Sequence, residues 1–172
     1  MIPRSKIRSR AVELLNQFEV CHPPVDVETI ARGLGVRVKY TSFERDEVSG
    51  LLVRKGDEVV LGVNREHPET RRRFTIAHEI GHFVLHMTRL IFVDEVVLHF
   101  RDRTSGEGRD PEEIEANAFA AELLMPEHFI EEDMEELDVW DDEGIQELAQ
   151  KYQVSTQSLI YRLNHLGYLL DL

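Results

Sequence analysis

Apolar residues recur along the chain with two different spacings, and the switches between them mark out its elements. From Lys6 to Phe18, the residues Ile7, Val12, Leu14, Leu15 and Phe18 fit an amphipathic helix, which His22-Pro23-Pro24 ends. Asp26 can cap a short second helix through Ile30 and Ala31, closed by Gly33 and Gly35. Alternation then takes over. Val36 to Tyr40 reads as a strand, and 50–54 and 58–63 flank Lys55-Gly56-Asp57 as a hairpin. A loop over 64–69 leads into a helix rich in apolar residues around His78. Val96 to Phe100 reads as a further short strand. Asp110 and Pro111 then open a helix that runs to Met125 and stops before Pro126. Residues 127–143 read as a short solvated helix and a loop. Two last helices are expected near 144–151 and 156–166. The pattern predicts an α+β fold: a small antiparallel sheet packed on two central helices, with a helical C-terminal extension from residue 144.

The chemistry is concentrated in one of those helices, at His78-Glu79-Ile80-Gly81-His82. Residues four apart share a helix face, so the two imidazoles can bind one metal ion. Glu79 projects about 60–100° around the helix from them, at 3.6 residues per turn. From there it can reach a water at the metal without being a ligand. This H-E-x-x-H arrangement is the core of zinc peptidases. Two surface or core histidines give the same five-letter pattern by chance, but here Phe74, Ile76, Ala77, Ile80, Phe83 and Val84 surround it. Gly81 weakens the helix by about 1 kcal/mol relative to alanine. That cost is understandable if another element must approach closely.

A catalytic zinc site takes three protein ligands. The helix from Pro111 carries two candidates for the third. Glu115 lies seven residues before Glu122, and the two are expected to share a solvated face. Glu113 lies on the side of Asn117, Ala120 and Leu124, a mostly apolar face where a carboxylate needs a cation or a hydrogen-bond partner. Glu113 is therefore the better candidate, although it also stands at the capping-box position three residues after Asp110. Asn117, one turn on, is either a surface amide or an orienting partner for His78 or His82. His86, His99 and Tyr161 are open candidates for stabilising an oxyanion, and the 48–64 hairpin for presenting an edge to an extended substrate.

Composition narrows the setting. The 172 residues, 42% hydrophobic, suffice for one cored domain with a small appendage. A single cysteine, Cys21, excludes an intrachain disulfide and a multi-thiolate zinc site. With no long apolar run and no signal-peptide core after Met1-Ile2-Pro3-Arg4-Ser5-Lys6, a cytoplasmic, non-membrane protein is expected. A net charge of −13, from 33 acidic and 20 basic residues, opposes broad attraction to nucleic acid.

Arg73-Phe74-Thr75-Ile76-Ala77-His78-Glu79-Ile80-Gly81-His82, followed by the stretch from Glu113 to Pro126, resembles the ImmA/IrrE family of metallo-endopeptidases. Pro24 to Glu28, Leu34-Gly35-Val36, Ser49-Gly50-Leu51 and Gly62-Val63-Asn64 extend the likeness over most of the chain. The resemblance implies a gluzincin-like zinc site, with His78, His82 and Glu113 as ligands and Glu79 as general base. It also implies a substrate that is a helix-turn-helix repressor, and the organisation of the elements sets a zinc metallopeptidase domain over 1–143. Residues 148–163 themselves look like a helix-turn-helix, so DNA binding is the rival reading. The stretch 144–172 holds only Lys151 and Arg162 against Glu147 and Asp171, thin support for phosphate contact. Packing onto the same domain, or contact with a partner, is the preferred role. The alternative function is a DNA-binding or repressor-binding regulator with a non-catalytic zinc site.

Overall fold

The structure is a computed structural model and describes residues 1–44, 48–55, 58–86, 91–94, 110–136 and 142–168. Among these, seven helices and four strands follow in the order α1 (Arg4–Gln17), α2 (Val27–Gly33), β1 (Val36–Thr41), β2 (Gly50–Lys55), β3 (Glu58–Asn64), α3 (Glu69–Leu85), β4 (Ile91–Asp94), α4 (Pro111–Leu124), α5 (Glu127–Glu136), α6 (Asp142–Tyr152) and α7 (Thr156–Leu166). The fold is α+β. The expected strand over 96–100, with His99, and most of the loop over 104–110 lie outside the described residues. No described helix is long and apolar enough to cross a membrane.

The sheet has the order β1-β3-β2-β4 and is mixed, not wholly antiparallel. The β2–β3 hairpin is antiparallel, with Leu52 opposite Leu61, but β1 runs parallel to β3, with Val38 opposite Leu61. The chain leaves β1 and enters β2 at the same end of the sheet, passing over the end of β3. Both hairpin strands are therefore interior. β2 has β3 on one side and β4 on the other, with Gly50 opposite Asp94. An added substrate strand cannot dock on the hairpin, as the sequence had led us to expect, because both its edges are already paired.

Alternation decides which sheet face is covered. Val59, Leu61 and Val63 of β3 point inward, together with Val36 and Leu52. α3 packs on that face. Its other side is covered by α4, so nine consecutive residues, Phe74 to His82, are buried. A helix buried all round needs a neighbour on every side, and two glycines let those neighbours come close. A Cβ on Gly81 would lie 3.2 Å from the Cα and carbonyl oxygen of Ala116 and from Cδ1 of Phe119 in α4. A Cβ on Gly50 would lie 2.5 Å from Cγ2 of Thr75.

α1 covers α4 from outside through Ile7, Ala11, Leu14 and Leu15. α5 is not simply solvated: Phe129 and Ile130 are buried in the core. α6 and α7 add Ile145, Leu148, Ala149, Tyr152, Leu159 and Leu163 to that same core. Asp26, Asp110 and Ser155 cap α2, α4 and α7 by accepting from the backbone N–H of Thr29, Glu112 and Ser158.

Candidate metal centre

His78 and His82 stand one turn apart in the buried middle of α3, and their Nε2 atoms are 3.0 Å from each other. Glu113, on the first turn of α4, places Oε2 3.4 Å from Nε2 of His78 and Oε1 3.1 Å from Nε2 of His82. In a tetrahedral site with bonds near 2.1 Å, ligand atoms stand about 3.4 Å apart. The two imidazole nitrogens and the carboxylate thus already sit at nearly the mutual distances that one divalent ion requires. Nitrogen and oxygen donors of this kind suit zinc.

The competition between capping and site contact at Glu113 is resolved by geometry. The cap at Asp110 is made to the Glu112 N–H, and the Glu113 side chain turns to the histidines. Burial pushes the Glu113 carboxyl up, but hydrogen bonds from His78 and His82, and their charge when protonated, outweigh it. They hold the group well below the usual carboxylate range. The carboxyl is therefore ionised, as a ligand must be.

Asn117 lies on the exposed side of α4, yet its Oδ1 accepts a 3.0 Å hydrogen bond from Nδ1–H of His78. With Nδ1 engaged in this way, Nε2 is the ring nitrogen that faces Glu113, and it is the atom that gives up its proton when an ion binds. Glu79 is 0% exposed and faces β2 rather than α4, since a Cβ on Gly50 would stand 3.4 Å from its Oε1. The segment against it is held firmly. Arg71 donates to Oγ of Ser49 at 2.9 and 3.1 Å, and the Asn64 side chain donates to the carbonyl of Val48 at 3.0 Å.

Some sequence expectations are corrected. Glu115 does not lie on a solvated face: it is 4% exposed and receives the backbone N–H of Ile2, while Glu122 pairs with Arg162. The residue that covers Glu115 is 113 positions away in sequence, so helical spacing carries no sign of it. His86 is buried at the end of α3, and Tyr161 is 60% exposed on α7. Ser49 and Asn64 stand in stretches that carry the family likeness, but the contacts that they and Arg71 make run between elements, and residue spacing gives no sign of them. In α7, Arg162 is 2% exposed, forks onto both oxygens of Glu122 at 2.7 Å and donates to the Met125 carbonyl at 3.0 Å. Lys151 pairs with Asp133.

A buried H-E-x-x-H helix, closed by a carboxylate from a second helix, places this fold among the metallopeptidases. Residues 31–164 match the IrrE N-terminal-like domain of the Peptidase M78 family, and the chain belongs to that family. It is 37% identical to the radiation response metalloprotease IrrE of Deinococcus radiodurans over 107 residues, which is 61% of this chain and 30% of that protein. A Mycobacterium tuberculosis transcriptional regulator shares the fold with a TM-score of 0.66 at 20% identity, over 93% of this chain and 46% of that one. The chain therefore spans less than half the length of either.

Proposed function

We propose that this protein is a cytoplasmic zinc-dependent endopeptidase that cleaves a helix-turn-helix transcriptional repressor. The observation that carries the reading is the convergence of His78 Nε2, His82 Nε2 and the Glu113 carboxylate, with Glu79 buried beside them. These three residues hold the ion. When bound, it supplies Lewis-acid chemistry, acidifying water and polarising a carbonyl. Glu79 accepts a proton from the attacking water as the new C–O bond forms, and delivers it to the amine nitrogen as the C–N bond breaks. Asn117 keeps His78 in the tautomer the site needs. Among the described residues β4 is the outer strand of the sheet next to β2, and an extended substrate segment adds at that strand. The repressor as substrate rests on the family likeness, and the relative from Deinococcus is itself named a metalloprotease.

The chain is read as one catalytic unit over 1–143 with 144–172, which holds most of α6 and all of α7, as a built-in extension. DNA reading by α7 is disfavoured, because Arg162 and Lys151 are both engaged by carboxylates. Glu79→Gln is the deciding variant. It should bind one zinc ion as the wild type does and lose repressor cleavage by at least about 100-fold, in the range general-base catalysis supplies. Zinc-bound Glu79→Gln cleaving at the wild-type rate would remove the peptidase reading, as would wild-type protein that takes up no zinc on titration.

A further inference from the structure

Beside the metal site, the same two helices approach a second time, through a contact at ion-pair distance and not a hydrogen bond. Glu115 of α4, buried although it is a carboxylate, receives the backbone N–H of Ile2 and places Oε2 3.5 Å from Nε2 of His86. His86 is the residue at which α3 ends, one turn beyond His82, and is itself buried. The Met1 amino group stands 4.0 Å from the other oxygen, Oε1. Three separate segments therefore meet on one carboxylate: the stretch before α1, the end of α3 and the start of α4. A buried carboxylate is kept only where such partners exist. The zinc chemistry proposed above uses none of them.

We infer that Glu115 is a positioning residue for the metal site, acting through Glu113. The inference rests on the zinc reading of the preceding section. The reasoning starts from where the residues stand around α4. Ala116 lies on the line of contact with α3, against Gly81. At about 100° per residue, Glu113 and Glu115 stand on opposite flanks of that line, about 60° and 100° away from it. One flank carries the ligand and the other carries the strut to His86 and Ile2. The apolar contacts along that line, Phe119 included, are not directional and do not by themselves fix the roll of α4 about its own axis. With side chains reaching about 5–6 Å from the axis, a roll of about 10° carries the Glu113 carboxylate about 1 Å. Metal–ligand distances tolerate only about 0.2 Å. Glu113 also sits in the first turn of its helix, where the backbone has fewest internal hydrogen bonds and is least fixed. The strut from Glu115 opposes this roll and presets the carboxylate before the ion arrives.

Zinc affinity, measured by competition with a chromophoric chelator on metal-free full-length protein, tests this in a two-by-two set: wild type, Glu115→Gln, Glu113→Gln and the double variant. Glu115→Gln should weaken zinc binding by about 10-fold or more, the range found for groups that orient ligands. In the Glu113→Gln background the same change should alter affinity by less than about twofold, because the group it positions is gone. Equal losses in both backgrounds would show general loosening and overturn the inference, as would a Glu115→Gln protein with wild-type affinity. If Glu115→Gln does not fold, Ile2→Pro, which removes the main-chain donor together with a side chain that packs on the core, carries the same comparison measured against Ile2→Ala, which removes the side chain alone, with the same expected outcomes. Zinc-binding wild type with an unaffected Glu115→Gln refutes this inference alone. Wild type that takes up no zinc removes the zinc reading and this inference with it.

Discussion

Gly81→Ala is the sharpest probe of how the ligand-bearing helices are held, because two effects of opposite sign act at one atom. In an exposed helix the change would stabilise by about 1 kcal/mol. Here the new Cβ would stand 3.2 Å from the Cα and carbonyl oxygen of Ala116 and from Cδ1 of Phe119. Comfortable carbon contacts begin near 3.5–4.0 Å, so α4 must recede by about 0.3–0.8 Å. Two of the three contacts are backbone atoms and cannot rotate away. Overpacking of this kind costs about 1–3 kcal/mol, which leaves a net loss of about 1 kcal/mol and a Tm lower by about 2–4 °C in a chain of this size. The larger effect is on the metal. The recession exceeds the roughly 0.2 Å tolerance of a metal–ligand bond, so zinc affinity should fall by about 10-fold or more. Thermal melts of the metal-free protein and chelator competition read the two effects separately. A variant with a higher Tm and unchanged zinc affinity would show that α4 is not seated on Gly81, and the packing argument would be wrong.

Three further outcomes are expected. Asn117→Ala should weaken zinc binding by about 10–100-fold with little change in Tm, since it frees the His78 ring; unchanged affinity would show that the Nδ1 hydrogen bond does not matter. Arg162→Met should destabilise by about 3 kcal/mol in denaturant unfolding, because Glu122 and the Met125 carbonyl lose a buried partner; a loss below about 0.5 kcal/mol, the scale of an ordinary surface change, would contradict that. Tyr40 should ionise near pH 12, pushed up to about 12 by burial and by its hydrogen bond to Glu28. Since the unfolded phenol ionises near 10, this contribution is complete below about pH 10 and is lost as pH rises through 12. Phenolate absorbance should show one group fewer titrating near pH 12 in Tyr40→Phe than in wild type, while Tyr152, which burial also pushes up, titrates late in both.

Local chemistry was legible in the sequence wherever a single element contains it. The caps at Asp26 and Asp110 and the pairing of 50–55 with 58–64 follow from side chains acting on their own backbone or across a short turn. The His78–His82 pair is of the same kind, because helix geometry puts residues four apart together whatever surrounds them. Glu113 was reachable only by arguing that a carboxylate on an apolar face needs a partner. The identical argument, applied to spacing alone, misassigned Glu115, whose cover comes from Ile2 at the far end of the chain.

What the linear chain determined by itself was therefore the metal-binding helix, the residue types able to complete the site, and the α+β class. Tertiary structure alone decided the rest. It placed β1 parallel to β3 and closed both edges of the hairpin, turned Glu113 toward the imidazoles, and directed Arg162 inward instead of toward DNA. The physical reason is range. Hydrogen-bond ladders and helical periodicity act over a few residues and leave a pattern in the sequence. Contacts between segments a hundred residues apart leave none until the core has brought them together.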